Sequence, residues 1–252
     1  MCVLALAWRA HPRWQLIVAG NRDEYHARPA SPLARWADAP GLLAGRDLQS
    51  GGTWLGVSEL GRLVVVTNLR GFELEEGRPS RGALVTDLLG GGDPAAVPIM
   101  AYNPVNLIAV DTEQAHFLSN RPQAVQSRLA PGFYGLSNGT LDEPWPKTLR
   151  LKSILLDWCM GPADHVEALL AGLGEEILPD IGIDPVTPSD VPQEPNHSPI
   201  FIRDPIYGTR CSSVVAIDRD GRGLFIERRF TAGGEVAGET RLPFSWPDQS
   251  GA

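Results

Sequence analysis

The sequence predicts an α+β fold in which antiparallel sheets are layered and covered by helices. Apolar runs rich in β-branched residues recur in pairs separated by turn residues, a spacing typical of hairpins. Two sets of helical segments separate these pairs, and such helices usually cover the faces of sheets. The chain has 252 residues, of which 43% are hydrophobic and 21% charged, an ordinary globular composition. We therefore predict a single domain over residues 1–252.

Composition also limits the classes of binding partner and the cellular compartment that we expect. The net charge of −8 argues against nucleic acid or an anionic membrane surface as the main partner. The apolar runs are too short to span a bilayer, and no export signal is expected. Cys2, Cys159 and Cys211 are far apart, which favours a reducing compartment and a cytoplasmic location over a disulfide framework. The sequence contains no P-loop, GxGxxG or HExxH motif, and it predicts no metal site.

Cys2 directly follows the initiator methionine and opens the apolar run of residues 3–8, which predicts a strand buried on both faces. Removal of Met1 would leave Cys2 with a thiol and a free α-amine on one carbon. The amine has a reference pKa of about 7.7–8.0 and the thiol one of about 8.5, so the amine can accept the thiol proton. Such a nucleophile is a known catalytic arrangement. Alternatively, Cys2 is a small hydrophobe at the start of a core strand.

A second strand-like run at residues 14–20 forms a predicted hairpin with the first. Arg22 and Asp23 come directly after it, and antiparallel pairing should bring both close to Cys2. Arg22 would lower the thiol pKa by its charge, and Asp23 could hold the α-ammonium. The alternative is that residues 21–25 simply form a turn.

Several motifs along the chain together resemble the NRDE-motif family, also called the transport and Golgi organisation protein 2 family. They are Cys2, NRDE at residues 21–24, GTWLG at 52–56, VTNLRG at 66–71, SRG at 80–82 and YGTR at 207–210. The resemblance implies the fold of N-terminal-nucleophile hydrolases, a four-layer αββα sandwich. Members of the family have been tied to haem movement or lipid metabolism. Cys2, Arg22 and Asp23 also resemble the start of penicillin V acylases and bile salt hydrolases.

Asn68 ends a β-branched run, where a strand delivers its side chain to a sheet edge. Its amide could donate a hydrogen bond to a developing oxyanion, a contribution of roughly 3–4 kcal/mol when preorganised. The likeness to bile salt hydrolases implies this role for Asn68 and, as a second polar amide, for Asn138 at the end of the strand-like run 133–139. The alternative for Asn68 is a turn cap.

The remaining segments are assigned from periodicity and from turn residues. Residues 26–50 contain several X-Pro pairs and read as a loop over one end of the sheet. Residues 51–57 pair with 62–68, and residues 105–110 pair with 114–119. Helices are expected at 80–89 with Ser80 as N-cap, from Asp93 or Pro94, and at 145–160 and 163–173. Gly51 and Gly52 either permit close approach to a ligand or form a flexible corner.

The C-terminal third contains a proline-rich segment and a final hairpin. Residues 179–199 hold six prolines and read as a lid, a binding loop or an insertion. Residues 206–217 then pair with 223–230 and complete the second sheet. Arg210 lies in this strand among apolar neighbours and needs an anionic partner. That partner is Asp23, a substrate carboxylate, or an acid in a structural ion pair.

Two classes of function fit these features. In the first, Cys2 of an N-terminal-nucleophile hydrolase attacks a linear amide or thioester, and Asn68 with Asn138 stabilises the oxyanion. Arg22, Asp23 and Arg210 support the nucleophile, and no cofactor is required. In the second, the same pocket carries haem or an acyl ligand without catalysis. The sequence has no CxxCH motif and no evident histidine pair, so haem would be held loosely and reversibly.

Overall fold

The computed structural model describes residues 2–177 and 199–247. In chain order its strands are β1 (Cys2–Trp8), β2 (Trp14–Tyr25), β3 (Ala30–Arg35), β4 (Leu42–Asp47), β5 (Leu55–Ser58), β6 (Arg62–Asn68), β7 (Val105–Val110), β8 (Ala115–Ser119), β9 (Val125–Arg128), β10 (Gly132–Leu136), β11 (Tyr207–Asp218), β12 (Arg222–Phe230) and β13 (Val236–Ser245). The α-helices are α1 (Arg81–Leu89), α2 (Pro146–Met160) and α3 (Leu169–Gly172). Short 3-10 helices cover Pro94–Ala96, Ile99–Ala101 and Val166–Ala168.

The strands form two antiparallel sheets. The first sheet has six strands in the order β10-β1-β2-β11-β12-β13, and the second has seven in the order β3-β4-β5-β6-β7-β8-β9. The second sheet follows chain order from one edge to the other, as expected for a meander of hairpins. In the first sheet, by contrast, β1 pairs with β10, and β2 pairs with β11. This sheet therefore gathers residues from both ends of the chain.

Three buried clusters separate four layers. The central cluster lies between the sheets and includes Leu6, Val18 and Val65. A second cluster joins the outer face of the first sheet to α2 and α3, and a third joins the outer face of the second sheet to α1. Strands that are buried on both faces are continuously apolar, as in β1. The predicted four-layer αββα sandwich is confirmed.

The prediction of a loop over residues 26–50 is wrong, because this segment contains the paired strands β3 and β4. Pro32 lies in β3, which is an edge strand of the second sheet. The pairing of β3 with β4 is irregular between Ser31 and Ala34. Proline is tolerated at such an edge or bulge because it has no N–H to contribute to the ladder. The proline-rich composition therefore concealed an edge strand.

Two further strand assignments differ from prediction. The strand predicted at residues 14–20 extends to Tyr25, so the alternative of a turn at residues 21–25 is wrong. The hairpin of β11 and β12 belongs to the first sheet and not to the second, since β11 pairs with β2 over most of its length. The structure also adds β9 and β13, which the sequence did not predict; both are mostly exposed edge strands.

The helices largely agree with prediction. Ser80 caps α1, with its side chain accepting the Ala83 N–H, and Asp93 caps the 3-10 helix that follows. The predicted helix at 163–173 is shorter, a 3-10 turn followed by α3. The predicted loop at 179–199 lies outside the described residues except for Pro199. Within the described part of the chain, no helix combines the length and apolar character needed to cross a membrane.

Candidate active site

Cys2 and Arg22 face each other across neighbouring strands. Cys2 is the first residue of β1 and is the register partner of Arg22 in β2, which in turn pairs with Cys211 in β11. Arg22 is held from the second sheet, because its Nη2 lies 3.2 Å from Asp47 Oδ2. The predicted proximity of Cys2 and Arg22 is confirmed. It follows from hairpin pairing alone.

The Cys2 thiol is partly buried and lines a cavity of about 520 Å³ between the ends of the two sheets. Burial raises the pKa of Cys2, the Asp23 charge raises it further, and the Arg22 charge lowers it. Arg22 thus acts in the predicted direction, but burial outweighs it. Because the thiol stays protonated near neutral pH, nucleophilic attack requires a base that removes its proton.

Asp23 is buried, with 3% of its surface exposed, and Thr209 Oγ1 donates a 2.7 Å hydrogen bond to its Oδ1. The Tyr207 hydroxyl also donates to the Asp23 backbone carbonyl at 3.0 Å. Burial raises the pKa of Asp23, while the charge of Lys147 and the Thr209 hydrogen bond lower it. Thr209 donates to this carboxylate, whereas Arg210, one residue later, donates to the Tyr25 and Arg28 carbonyls, so of the three partners considered for Arg210, Asp23 is not the one found.

Asn138 follows β10 and is 1% exposed. Its Oδ1 accepts the Cys2 backbone N–H at 3.4 Å, and its Nδ2 donates to the Asn68 carbonyl at 2.8 Å. Ser137 Oγ also donates to the Cys2 carbonyl at 2.8 Å. Asn138 is not among the residues that line the cavity. Asn138 therefore contacts the Cys2 backbone from outside the cavity lining, and its role as a second oxyanion donor stays a prediction.

Asn68 is the last residue of β6, and its exposed side chain lines the cavity together with Cys2. Its backbone carbonyl is fixed by Asn138, whereas no described residue is bonded to its side-chain amide. An amide held by its backbone at the cavity wall can donate to a ligand. The structure thus brings Asn68 to the same cavity as Cys2, as predicted.

The cavity wall is rich in arginine. Its charged lining residues are Arg22, Arg28, Arg46, Arg78, Arg81, Arg210 and Arg229 together with Asp23, Glu24, Asp47 and Glu227. Arg210 lies on this wall, and its Nη1 donates to the Tyr25 and Arg28 carbonyls at 2.8 and 2.9 Å. All predicted site residues except Asn138 therefore line one cavity.

Lys147 is a site residue that sequence reasoning missed. Its side chain is 0% exposed, and its Nζ lies 5.6 Å from the centroid of the Trp145 ring. Burial lowers the pKa of Lys147 to about 8, and the charges of Asp23 and Cys2 oppose that shift. A signal was present, because Lys147 occupies the same helical stripe as the buried Leu151 and Leu155, four and eight residues later. A lysine on an apolar stripe is rare enough to indicate a special environment.

Gly52 and Gly82 place the first turn of α1, and with it Arg81, against the cavity. A Cβ atom at Gly52 would lie 2.2 Å from the Gly82 carbonyl carbon. The Thr53 N–H also donates to the Gly82 carbonyl at 3.4 Å. The absence of a Cβ at Gly52 thus permits close approach of the α1 backbone, whereas the close approach to a ligand considered for Gly51 and Gly52 stays a prediction.

Solved structures with a similar fold include hydrolases. An N-acylethanolamine-hydrolyzing acid amidase orthologue from Caenorhabditis elegans aligns with a TM-score of 0.52 and 13% identity, covering 84% of this chain and 92% of that one. A mutant conjugated bile acid hydrolase from Clostridium perfringens aligns with a TM-score of 0.52 and 9% identity, covering 100% of this chain and 93% of that one. These likenesses show the fold, which is that of the N-terminal-nucleophile hydrolases.

Sequence comparison gives the family. The chain is 33% identical to the bovine transport and Golgi organization protein 2 homolog over 267 residues, covering 95% of this chain and 97% of the relative. It is 32% identical to the human homolog over 255 residues, covering 90% and 92%. The family profile matches residues 1–232. With this match spread across both sheets and all the site residues described above, the chain belongs to the Transport and Golgi organisation 2 family.

Proposed function

We propose that this protein is an N-terminal cysteine hydrolase that acts on a linear amide or thioester. After removal of Met1, the α-amine of Cys2 takes the thiol proton, and Sγ attacks the carbonyl carbon. The tetrahedral intermediate collapses when the ammonium gives its proton to the leaving amine or thiol, leaving an acyl thioester on Cys2. Water then attacks this thioester, the amine removes a proton from the water, and a carboxylate and free Cys2 are released.

The observation that carries this proposal is the setting of Cys2. A partly buried cysteine at the start of a core strand faces Arg22, and its nitrogen is 3.4 Å from the Asn138 amide oxygen. An amine at that position would be oriented by a fixed acceptor, as a base next to its nucleophile must be. A structural core cysteine needs no such partner for its backbone nitrogen beyond the sheet ladder.

Asn68 supplies the electrostatic part of the mechanism. Its side-chain amide is exposed in the cavity that contains the thiol. A preorganised donor at a developing oxyanion lowers the activation barrier by about 3–4 kcal/mol. Asn138 holds the Asn68 carbonyl and the Cys2 nitrogen together, so the backbones that present the donor and the nucleophile keep a fixed separation.

The test compares wild type with Cys2→Ala on a panel of linear acyl amides and acyl thioesters. Turnover should occur in wild type and vanish in Cys2→Ala, while Cys159→Ala, which changes a buried cysteine of the α2 face, should keep it. Intact mass spectrometry of the purified protein should show loss of one methionine. Retention of Met1 in active protein would remove the α-amine from the mechanism.

A second candidate function is reversible carriage of haem or an acyl ligand in the same cavity. The arginine-rich lining favours it, since haem propionates and fatty carboxylates are anions. The carrier hypothesis requires saturable binding of haem or of a fatty carboxylate by both wild type and Cys2→Ala, without turnover. Turnover that depends on Cys2 would decide in favour of the hydrolase.

A further inference from the structure

The charge of the cavity is opposite to the charge of the chain. Seven arginines and four carboxylates line the cavity, while the whole chain has a net charge of −8. A concave site with an excess of one charge concentrates ligands of the opposite charge. The excess of arginine is therefore a property of the cavity and has to be explained by the contacts of its lining residues.

Several of these arginines are neutralised by neighbouring acids. Arg22 and Arg28 share Asp47 at 3.2 and 2.5 Å, and Arg46 lies 2.8 Å from Asp38. Arg78 pairs with Glu75 at 2.6 Å. Ion pairs of this kind hold side chains in place and leave little net charge for a ligand.

Arg81 and Arg210 differ from these four. Throughout the described residues, neither has a carboxylate within ion-pair distance. Arg81 Nη1 donates to the Pro104 carbonyl at 2.9 Å, and Arg210 Nη1 donates to two backbone carbonyls at 2.8 and 2.9 Å. Carbonyl partners fix a guanidinium without cancelling its charge. Each group has five N–H donors, so donors remain for a ligand.

Both guanidiniums are partly withdrawn from water. Burial lowers the pKa of Arg81 and that of Arg210, and the charge of Cys2 opposes the shift at Arg81. Arginine nevertheless stays protonated in proteins. A partly desolvated, permanent cation without an acid partner is a binding group for an anion. Because Arg81 and Cys2 line the same cavity, that anion would lie near the thiol.

We infer that the cavity binds ligands that carry an anionic oxygen group, a carboxylate or a phosphate, and that Arg81 and Arg210 recognise this group. The inference rests on the proposed function and specifies its substrate class: an amide or thioester with an anionic substituent. Neutral acyl amides would be poor substrates, because they leave two desolvated guanidiniums without a partner.

Alkylation of Cys2 tests this inference without a known substrate. Iodoacetate and iodoacetamide react at the same thiol and differ in one carboxylate. The ratio of their rate constants cancels any change in the thiolate fraction, so it reports attraction of the anion alone. In wild type this ratio should exceed that of a free peptide with an N-terminal cysteine by about tenfold or more, as expected for electrostatic focusing. Alkylation of the Cys2→Ala variant measures the background reaction of the other cysteines.

Variants assign the effect to residues. Arg81→Gln should lower the ratio several-fold, Arg210→Gln should lower it less, and Arg81→Lys should restore most of it. Arg13→Gln is the matched control, because Arg13 is exposed in the turn at the far end of the first hairpin and pairs with Asp164. A wild-type ratio equal to that of the peptide, or one unchanged in both Arg→Gln variants, would overturn the inference. Protection of Cys2 by inorganic phosphate or by acetate distinguishes the two anion types.

Failure of the inference can be told apart from failure of the proposed function. Charge-selective alkylation in a protein that hydrolyses no amide or thioester would reject the hydrolase and keep the anion site. Cys2-dependent turnover of neutral amides, together with a ratio like that of the peptide, would reject the anion site and keep the hydrolase.

Discussion

Cys2 donates its backbone N–H to the side-chain oxygen of Asn138 over 3.4 Å, although 136 residues separate the two in the chain. The same amide donates from its nitrogen to the Asn68 carbonyl at 2.8 Å. Asn138 follows a strand of the first sheet, and Asn68 ends a strand of the second. One buried amide therefore joins the strand that begins at Cys2 to the opposite sheet at the cavity.

Replacing Asn138 with alanine should destabilise the protein. The substitution leaves the Asn68 carbonyl and the Cys2 nitrogen without their partner, and an unsatisfied buried polar group costs about 1–3 kcal/mol. Urea unfolding should show this loss as a lower midpoint with an unchanged slope. A midpoint equal to that of wild type would mean that the amide does not hold the two sheets together.

Replacing Asn68 with alanine should leave the stability of the protein nearly unchanged and lower its activity. Its side chain is exposed, and its backbone carbonyl, which Asn138 binds, is retained, so the free energy of unfolding should stay within about 0.5 kcal/mol of wild type. Loss of an oxyanion donor should lower kcat by about 10²–10³-fold. Steady-state kinetics on any amide or thioester that wild type hydrolyses would test this. Unchanged kcat would exclude Asn68 as the donor.

Much of the site follows from short-range pairing that a sequence displays. Cys2 begins one strand of a hairpin, and Arg22 lies near the end of the other, so their contact requires only antiparallel pairing. The apolar runs of β1 and β2 and the Ser80 cap of α1 are equally local signals. These are the features that the sequence predicted correctly.

The remaining features depend on contacts between distant segments. Asn138 and Lys147 reach Cys2 and Asp23 only because β10 and α2 pack beside β1. Arg81 reaches the cavity because Gly82 packs on Gly52. Hydrophobic periodicity contains no information about such pairings. Similarly, the strand β3 was predicted as a loop because it contains Pro32. Proline also occurs in edge strands, so it indicates a loop reliably only away from sheet edges.

Gly52→Ala should strain the packing of α1. The added Cβ would lie 2.2 Å from the Gly82 carbonyl carbon, which is backbone and cannot rotate away. Overpacking of this kind costs about 1–3 kcal/mol, and α1 should shift together with Arg81. Thermal unfolding measures the loss, and the alkylation ratio should fall as Arg81 moves.

Gly132→Ala is the matched control for this substitution. The atoms nearest its added Cβ would belong to the Tyr134 side chain, at 3.7 Å, which is ordinary van der Waals contact, so stability should change little. If Gly52→Ala were as stable as Gly132→Ala, the close approach of the two glycines would not be required to hold α1.

Lys147 should make the free energy of unfolding depend on pH. Burial lowers its pKa from 10.5 to about 8 in the folded protein. Below pH 8 the lysine is charged in both folded and unfolded states, and the folded state bears the desolvation cost. Between pH 8 and 10.5 the unfolded chain binds more protons, so stability rises with pH through this window. A shift of this size corresponds to roughly 3 kcal/mol.

Lys147→Met should therefore remove that rise. Urea unfolding at intervals from pH 7 to above 10.5 gives the free energy of unfolding of both proteins. The variant should gain about 3 kcal/mol relative to wild type at pH 7, because the net shift already includes the opposing attraction of the Asp23 charge, and the difference should shrink as the pH increases. Lys152→Met is the control, since Lys147 and Lys152 are the only lysines in the chain, and Lys152 is partly exposed in an ion pair with Asp142.

Parallel profiles for wild type and Lys147→Met between pH 8 and 10.5 would show that Lys147 does not titrate in this range. A methionine variant that is less stable at pH 7 would mean instead that the attraction between Lys147 and Asp23 outweighs the cost of burying the charge.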